Sequence, residues 1–565
     1  MMRAAALETK NPETLASNGR MRKSMADVDA PIPDLLHAVP MARIDFESTK
    51  LGVQLAFASG VAGGLFADAL DRAALAKSTF DASAFAADLF VPTFVAQCFR
   101  ITLGSGEATL AQKHLVRLLC NPPKDEATVH HRRAIVAELR STPPLRASLE
   151  KLYAALCRFR TLLEGATAAV KWDPNRRQLD ILALTKDVID LMATDFANAT
   201  SGLSRLAAFG KRIQASEPYR SLSDLLRYDD KLATLDLKVR VGADGQIRGF
   251  QVLSIQENAE NPFVMSPVRR WLAKIELFVR GYSFGDGEIM ARLIDAVWEG
   301  VEDDVTRFVQ LLGDLELYLG ILGFADLATE AGLPMCLPEL VERDAPRELT
   351  GLFNPLLLGH GTKPVPCELS TNRHDTTVLL TGPNSGGKTR LLQSIGLAQL
   401  LAQSGLLVPA AKAKITLAPG LVVSLIQDTK ADQSEGRLGM ELIRIRGLFE
   451  RLPPGAMVIL DELCSGTNPS EGEEIFELVI RMLSRLRPQA FITTHFLAFA
   501  ARLERERPLD DLRFFQVALG ADQSPTYQFA PGVARTSLAG QAAARLGVTG
   551  DQLMALIEKS LSKAN

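Results

Sequence analysis

The sequence lacks several features that would place it in a familiar class at once. Its six cysteines form no CxxC pair and follow no regular spacing. This arrangement excludes a disulfide scaffold and a cysteine-ligated zinc site, and it favours a reducing compartment. The 63 basic and 66 acidic residues nearly cancel, so no chain-wide polycation is available to coat nucleic acid or a membrane. Any contact with DNA must therefore come from a local patch.

Long apolar runs are also scarce. The uncharged run Leu51 to Ala67 includes Gln54, Ser59 and four glycines, and it is shorter than the roughly 20 mostly apolar residues of a membrane span. We interpret it as a buried helical segment. Residues 1–40 show neither an apolar signal core nor periodicity. They are predicted to be a disordered leader of a cytoplasmic protein without a membrane segment.

Composition and apolar spacing predict the organisation of the remaining chain. Aromatic residues make up only 6% of 565 residues, which favours helices over an all-β fold, and the length allows two to four domains. Apolar residues recur at helical spacing over about 41–230. From Leu235 they alternate with polar residues on both sides of a glycine turn, which predicts a β-hairpin within about 232–266. Helical spacing resumes at Pro267.

After about residue 351 the pattern changes to strand, loop and helix in repetition, which is typical of an α/β domain with a parallel sheet. The predicted fold class is therefore α/β plus all-α. A helical core or lever domain over 41–350 carries the small hairpin insertion, and an α/β domain follows over 351–565.

A phosphate-binding loop is predicted at the start of this second domain. The apolar strand Val378–Thr381 leads into the pattern GxxxxGK[ST], and Leu391–Leu401 continues as a helix. Glycines let backbone N–H groups converge on phosphate oxygens, and the helix N-terminus adds its dipole. Lys388 is expected to contact the β- and γ-phosphates of ATP, and the Thr389 hydroxyl to ligate Mg²⁺. The predicted ATP-binding residues are Gly382, Pro383, Asn384, Ser385, Gly386, Gly387, Lys388 and Thr389.

Two further strands end in polar residues that suit ATP hydrolysis. The strand Met457–Leu460 is followed by Asp461, which can hold Mg²⁺, and by Glu462, which can polarise the attacking water. A later strand ends at His495, which fits a γ-phosphate sensor, although a histidine there is often only a satisfied polar residue. Because ligands bind at the carboxyl ends of strands in open α/β sheets, we predict Glu462, Lys388 and His495 as catalytic residues, and Thr389 and Asp461 as Mg²⁺ ligands.

Taken together, the segments GPNSGGKT, VILDELCSGTNPSEG and ITTHF resemble the MutS family of ABC-type ATPases. In that family the first segment is GPNxGGK followed by Ser or Thr, the second is LDE with a GT-containing loop, and the third is ATH or TTH. The stretch 527–537 resembles its last strand and the lead into closing helices. Residues 85–340 resemble its core and lever domain more weakly, with the hairpin in the place of its clamp insertion.

The resemblance implies an ABC-type P-loop ATPase domain that works as a homodimer. In that family each ATP lies between one subunit's phosphate loop and the other's signature segment. The family places a serine in the signature segment five residues before a glutamate; anchored on Glu441 and Arg444, this position is Gly436 here. Gly436 is therefore expected to reach ATP through its backbone N–H, and this departure affects cross-subunit activation more than ATP binding.

The resemblance also implies an ATP-dependent DNA-binding protein, a dimeric ATP-gated clamp on duplex, mismatched or branched DNA in mismatch repair or recombination. Double-stranded DNA, a second copy of the chain and repair or recombination proteins are the expected partners. Mismatch-reading members insert a Phe-x-Glu wedge at a base step, and the residues before the core contain none. Direct mismatch reading is therefore not expected, and neither is a nuclease-like extension, because the sequence ends just after the closing helix.

The DNA contacts and the alternative functions remain open. Lys238, Arg240 and Arg248 on the hairpin are candidate phosphate contacts, but interleaved aspartates also suit an ordinary solvated face. The alternative is a conformational switch or scaffold that binds protein partners, with weak or no hydrolysis. A transporter ATPase would need an LSGGQ signature, and a chromosome-structuring ATPase would need hundreds of coiled-coil residues between its motifs. Neither is present in the sequence.

Overall fold

The computed structural model describes residues 32–59, 63–104, 106–165, 174–231, 234–241, 247–256, 286–425, 437–464, 468–521, 523–535 and 548–564. Most of the predicted leader, residues 1–31, lies outside this description. So do residues 257–285, on which the end of the predicted hairpin region and the beginning of the next helical stretch fall.

Helices dominate the part of the chain before residue 331. They are α1 (Phe46–Ser59), α2 (Leu65–Arg72), α3 (Val91–Cys98), α4 (Gln112–Cys120), α5 (Glu126–Ser141), α6 (Pro143–Glu164), α7 (Pro174–Asp195), α8 (Ser204–Gln214), α9 (Glu217–Lys231) and α10 (Asp286–Glu330), with the short antiparallel strands β1 (Thr102–Leu103) and β2 (Gly106–Glu107). The four leucines at helical spacing in α6 are all buried, as that spacing predicts: Leu145, Leu149, Leu152 and Leu156.

The long helix α10 organises this helical half. It runs for 45 residues and contacts α1, α2, α3, α4, α6, α7 and α9. Among the described helices, α10 alone, over Met290–Glu330, is long and apolar enough to cross a membrane, and 89% of its most apolar window is buried inside the protein. A mostly buried core helix has the same length and composition, so this helix is accounted for by packing.

A buried ionic network ties the segment before α1 to α10. The guanidinium of Arg43 contacts carboxylate oxygens of both Asp34 and Asp314. The Asp314 carboxylate also accepts the backbone N–H of Leu35 at 2.9 Å, and Gln310 accepts the backbone N–H of Arg43 at 2.7 Å. All of these charged side chains are buried, so the contacts between this segment and α10 are shielded from solvent.

Two antiparallel strands follow α9. They are β3 (Thr234–Val241) and β4 (Ile247–Gln256), and their ladder has two irregularities. Lys238 and Arg240 lie in β3, and Arg248 lies in β4 between the pairs Arg240–Gly249 and Val241–Ile247. The side chains of these three residues lie outside the description, so their DNA contacts stay a prediction.

The second half contains two sheets. The larger has the order β10 (Leu421–Ser424), β11 (Met457–Leu460), β12 (Gln489–Thr493), β8 (Thr377–Thr381), β13 (Leu512–Leu519), β14 (Pro525–Pro531); its neighbours are parallel except β13 and β14. Every residue of β8, β11 and β12 is buried, as expected of central strands that are covered on both faces.

The smaller sheet has the order β5 (Glu339–Leu340), β9 (Lys412–Ile415), β6 (Arg347–Leu352), β7 (Cys367–Thr371). Strands of the second half thus begin before residue 351, where the sequence places the domain boundary. The helices are α11 (Pro355–Gly359), α12 (Lys388–Gln403), α13 (Arg437–Arg451), α14 (Pro469–Leu486), α15 (Leu497–Glu506) and α16 (Gly550–Ala564).

Two contacts connect the halves close to the larger sheet. Arg132 of α5 is fully buried, and it donates to the backbone oxygens of Leu36 at 2.9 Å and of Ser404, just after α12, at 3.4 Å. The carboxylate of Asp88 accepts the backbone N–H of Leu425, just after β10, at 2.6 Å. The helical half therefore contacts the chain just after α12, which begins at the predicted nucleotide site, and just after β10, a strand of the larger sheet.

Candidate nucleotide site

The loop between β8 and α12 adopts a backbone that few residues tolerate. Gly382, Ser385 and Gly387 have positive φ angles of 139°, 69° and 86°. A Cβ atom on Gly382 would lie 2.6 Å from a methyl carbon of Val517, and one on Gly387 would lie 3.1 Å from the ring of Tyr527. Both glycines are thus required by conformation and by space, and the loop wraps closely around the start of α12.

Lys388 is the first residue of α12, and its side chain turns back into this loop. The ammonium donates to the carbonyl oxygens of Gly382 at 2.9 Å and of Pro383 at 3.2 Å. Burial lowers the pKa of Lys388, against the opposing effect of the Glu462 and Asp461 charges. Its direct partners are neutral carbonyls, whereas a phosphate oxygen would add the attraction of an opposite charge to the hydrogen bond. The ammonium is therefore placed to exchange these carbonyls for phosphate oxygens.

Thr389 and Asp461 meet beside the loop. The Thr389 hydroxyl donates to one Asp461 oxygen at 2.5 Å, and the other Asp461 oxygen accepts the Thr493 hydroxyl. Hydroxyl and carboxylate oxygens are ligands that Mg²⁺ takes, so the donor set fits this ion. In the described part of the chain no group of three or more His, Cys, Asp or Glu residues is arranged to hold a metal. An ion here would therefore need phosphate oxygens and water as further ligands.

Glu462 sits at a turn directly after β11. Its φ angle is 49°, and that of Cys464 is 61°. Non-glycine residues rarely adopt this left-handed region, and such residues cluster at functional sites. The backbone N–H of Glu462 donates to the Thr493 hydroxyl at 2.8 Å. The turn therefore brings the Glu462 side chain, which is half-buried, to the same edge of the sheet as the loop.

One cavity of about 680 Å³ unites these residues, within the usual range for small-molecule sites. Its lining combines the polar segment 384–389, Asp461 and Glu462 with the apolar residues Leu357 and Val365 and the aromatic residues Tyr527 and Phe529. A ligand that carries phosphates and a flat apolar group matches this lining.

The structure brings most of the predicted site residues together but not all of them. Residues 384–389, Asp461 and Glu462 line the cavity, and the carbonyls of Gly382 and Pro383 hold Lys388. His495 is exposed just beyond β12, its ring lies 4.3 Å from that of Phe496, and it does not line the cavity. Gly436 lies outside the described residues. The functional roles of all these residues stay predictions.

Sequence reasoning missed two residues that the geometry adds. Thr493 contacts both acidic residues, and Tyr527, with a φ angle of 59°, lies against the phosphate loop. Thr493 lies within the ITTHF segment, but nothing in the sequence distinguishes it from Thr494. Tyr527 lies in the stretch that resembles the family's last strand, but its approach to Gly387 depends on how β13 and β14 pack beside β8.

Comparison with known proteins agrees with this assembly. Residues 378–563 match the family profile of MutS domain V. The chain is similar to Endonuclease MutS2 of Thermus thermophilus, with 30% identity over 249 residues, which is 44% of this chain and 31% of that protein. It is also similar to Endonuclease MutS2 of Streptococcus pyogenes serotype M49, with 31% identity over 37% of this chain and 26% of the relative. The chain thus spans a third or less of the length of these curated relatives.

Proposed function

Because the chain belongs to the MutS family through its domain V, we propose that it is an ATP-dependent DNA-binding protein of the MutS type. It would act as a dimeric clamp on duplex, mismatched or branched DNA in repair or recombination, with ATP governing its hold on the DNA. The observation that carries the proposal is the cavity shared by the phosphate loop, Asp461 and Glu462. The name endonuclease belongs to the relatives, and the proposal concerns nucleotide and DNA alone.

The proposed reaction is hydrolysis of ATP to ADP and phosphate. Backbone N–H groups of 384–389 and the ammonium of Lys388 bind the phosphates. Thr389 and Asp461 would hold Mg²⁺, which supplies positive charge to the phosphate oxygens. Glu462 orients a water molecule and accepts its proton as the water oxygen bonds to the γ-phosphorus and the bond to the β–γ bridging oxygen breaks.

The apolar side of the cavity suits the base of the nucleotide. Tyr527 is about half exposed, and Phe529 also lines the cavity. Aromatic rings stack on planar ligands in offset or edge-to-face arrangements. We therefore place the adenine against Tyr527 and Phe529.

Coupling to DNA is supported by two of the contacts between the halves. Asp88 bonds the residue after β10, and Arg132 bonds the residue after α12. A movement at the nucleotide site would therefore shift α5 and the segment before α3. The basic residues Lys238, Arg240 and Arg248 on the hairpin are the proposed phosphate contacts, and the proposed location is the cytoplasm.

A second candidate is a switch or scaffold that binds protein partners. It is favoured by the balanced charge of 63 basic and 66 acidic residues, by the aspartates interleaved on the hairpin, and by Gly436 at the signature position. This candidate would bind ATP with little turnover and would respond to DNA weakly.

Steady-state ATPase activity distinguishes the two. It is measured without DNA and with homoduplex, mismatched duplex and a four-way junction, each at two salt concentrations. The clamp predicts stimulation by duplex or junction that falls at the higher salt, because phosphate neutralisation releases counterions. A response to mismatched DNA alone would contradict the expectation that mismatches are not read directly. Activity indifferent to every DNA would favour protein partners.

A matched set of variants tests where DNA binds. Replacing Lys238, Arg240 and Arg248 together by alanine is expected to weaken duplex binding and to reduce its salt dependence. The control replaces Lys113, Arg446 and Arg481, which are exposed on other elements. Equal loss in both sets would contradict a specific role of the hairpin.

A further inference from the structure

We propose that Thr493 is a positioning residue of the nucleotide site, whose hydroxyl holds the Asp461 carboxylate and the Glu462 backbone in one arrangement. This inference rests on the proposed function of the site in ATP hydrolysis. It names a residue that touches neither phosphate nor water in the proposed reaction and acts through two residues that do.

The Thr493 hydroxyl acts both as a hydrogen-bond donor and as a hydrogen-bond acceptor. Thr493 is the last residue of β12 and is fully buried. Its oxygen donates to Oδ1 of Asp461 and accepts the backbone N–H of Glu462 at 2.8 Å. A hydroxyl carries one proton and two lone pairs, so a single side chain can serve both neighbours at once.

The first bond selects which oxygen of Asp461 faces the phosphate loop. With Oδ1 engaged by Thr493, Oδ2 is the oxygen that meets the Thr389 hydroxyl at 2.5 Å. The backbone N–H of Asp461 donates to the oxygen of Ser424 at 2.9 Å. Asp461 is therefore fixed from β12 on one side and from β10 on the other, with its second oxygen directed at the Thr389 hydroxyl.

The second bond supports the unusual backbone of Glu462. The left-handed region is unfavourable for residues other than glycine, and Glu462 has a φ angle of 49°. A backbone N–H that loses its hydrogen-bond partner away from water destabilises the fold further. Because Thr493 accepts this N–H, it stabilises the turn that presents the Glu462 side chain to the cavity.

The neighbouring threonine shows that burial alone does not give this role. Thr494 is equally buried, but its hydroxyl accepts the backbone N–H of Phe496 at 3.1 Å, and its own N–H donates to Leu380 at 3.0 Å. No hydrogen bond joins Thr494 to Asp461 or Glu462 in the described contacts. The two threonines therefore stabilise different turns, and of the two only Thr493 forms described hydrogen bonds to the acidic pair.

The test compares Thr493→Val, which keeps the shape but removes the hydroxyl, with Thr493→Ser, which keeps the hydroxyl. Mn²⁺ binding to the full-length protein with ADP is followed by electron paramagnetic resonance, and ATP hydrolysis is followed over a Mg²⁺ titration. Residues that orient metal ligands typically change metal affinity or activity about 10–100-fold. We expect Thr493→Val to weaken Mn²⁺ binding and to lower kcat within that range, with KM for ATP almost unchanged. Serine should restore both.

The control is Thr416→Val in the same half. Thr416 is buried, and its hydroxyl donates to the backbone oxygens of Val341 at 2.8 Å and Glu342 at 2.9 Å, away from the cavity. Its loss should lower thermal stability while Mn²⁺ binding and kcat stay at the parental values. A Thr493→Val protein that matches this control, or a serine variant as defective as the valine variant, would overturn the proposal.

The parental protein separates this inference from the proposed function. If the parental protein hydrolyses ATP and Thr493→Val behaves in the same way, the role of Thr493 is contradicted and the proposed function is not affected. Nucleotide and Mn²⁺ binding without hydrolysis contradicts the proposed turnover, and the Mn²⁺ affinities still decide on Thr493. A parental protein that binds no nucleotide overturns both.

Discussion

The helical half and the nucleotide site both bury charged side chains, but they surround them differently. In the helical half, Arg43 contacts the carboxylates of Asp34 and Asp314, and all three are buried. In the nucleotide site, Lys388 is also buried, but its ammonium contacts only the neutral carbonyls of Gly382 and Pro383 in the described structure. One charge is neutralised by fixed partners, and the other is held in place without a charged contact.

This difference separates a structural charge from one that is available to a ligand. A buried charge loses hydration, and only a close opposite charge with good geometry offsets that loss. Arg43 has such partners within the fold, so its network contributes to the folded state itself. Lys388 is stabilised further only when an anion arrives, which is the condition expected of a phosphate-binding residue.

The largest effect is expected at Glu462. Glu462→Gln removes the proton acceptor but keeps the size of the side chain, and general bases contribute about 10²–10⁴-fold to such reactions. ATP hydrolysis should fall by that factor while ATP stays bound and holds the proposed dimer closed. Single-turnover hydrolysis and light scattering with ATP measure the two effects. Glu474→Gln, on the exposed face of α14, is the control, and hydrolysis at the parental rate would refute the role of Glu462.

The next effect tests the structural charge. Arg43→Met leaves Asp34 and Asp314 buried together without their cation, and breaking a buried ion pair in this way costs about 3–5 kcal/mol. Calorimetry of the full-length protein should show this loss of stability as a lower unfolding temperature. Arg446→Met is the matched control, because Arg446 forms an exposed i, i+4 pair with Glu450, and such pairs contribute at most about 0.5 kcal/mol. Equal stability of both variants would contradict the structural role of Arg43.

The same change at Lys388 should have the opposite pattern. Lys388→Met removes a buried charge whose contacts are neutral, so unfolding should change little. Nucleotide affinity should fall about a hundredfold, because hydrogen bonds to charged groups contribute about 1.5–3 kcal/mol. Titration with a fluorescent ATP analogue measures the affinity, and Lys412→Met, at the exposed first residue of β9, is the control. A destabilised variant that still binds nucleotide would reverse the comparison.

The two kinds of charge also differ in how far the sequence could predict them. The phosphate loop is a local pattern, and Asp461 and Glu462 follow a buried strand whose carboxyl end must face the same sheet edge. The partners Asp34, Arg43 and Asp314 are brought together only when α10 packs against the first described segment. His495 has the expected strand-end position, yet it is exposed away from the cavity. Strand ends are thus predictable, whereas side-chain direction beyond them is not.

A smaller effect concerns Glu316, another buried acid of α10. Burial raises its pKa from an ordinary 4.5 to about 7, although the backbone N–H of Ala111 and the Tyr153 hydroxyl, both bonded to it, oppose the shift. The folded state therefore keeps the proton between pH 5 and pH 7, where the unfolded state releases it. Stability from this proton is present below about pH 4.5 and is lost as the pH rises through about 7.

Glu316→Gln replaces the titratable carboxyl by an amide, so this residue binds and releases no proton in the folded or the unfolded state. The loss of stability between pH 5 and pH 7 should be about 2 kcal/mol smaller in the variant than in the parent. Urea unfolding at several pH values measures it, with the exposed Glu450→Gln on α13 as control. A variant with the same pH dependence as the parent would show that Glu316 is ionised in the folded state.

The smallest effect is expected where the two regions meet. Asp88→Ala removes the acceptor of the Leu425 backbone N–H at 2.6 Å, which should cost about 1 kcal/mol and increase hydrogen exchange at that amide. Asp88→Asn keeps an acceptor oxygen and should retain most of the protection. Basal ATPase activity should be unchanged, because Asp88 does not line the nucleotide cavity, while stimulation by DNA should fall if this contact transmits the state of the helical half. Unchanged stimulation together with lost protection would place the coupling elsewhere, for which the contact of Arg132 with the Ser404 backbone, just after α12, is a candidate.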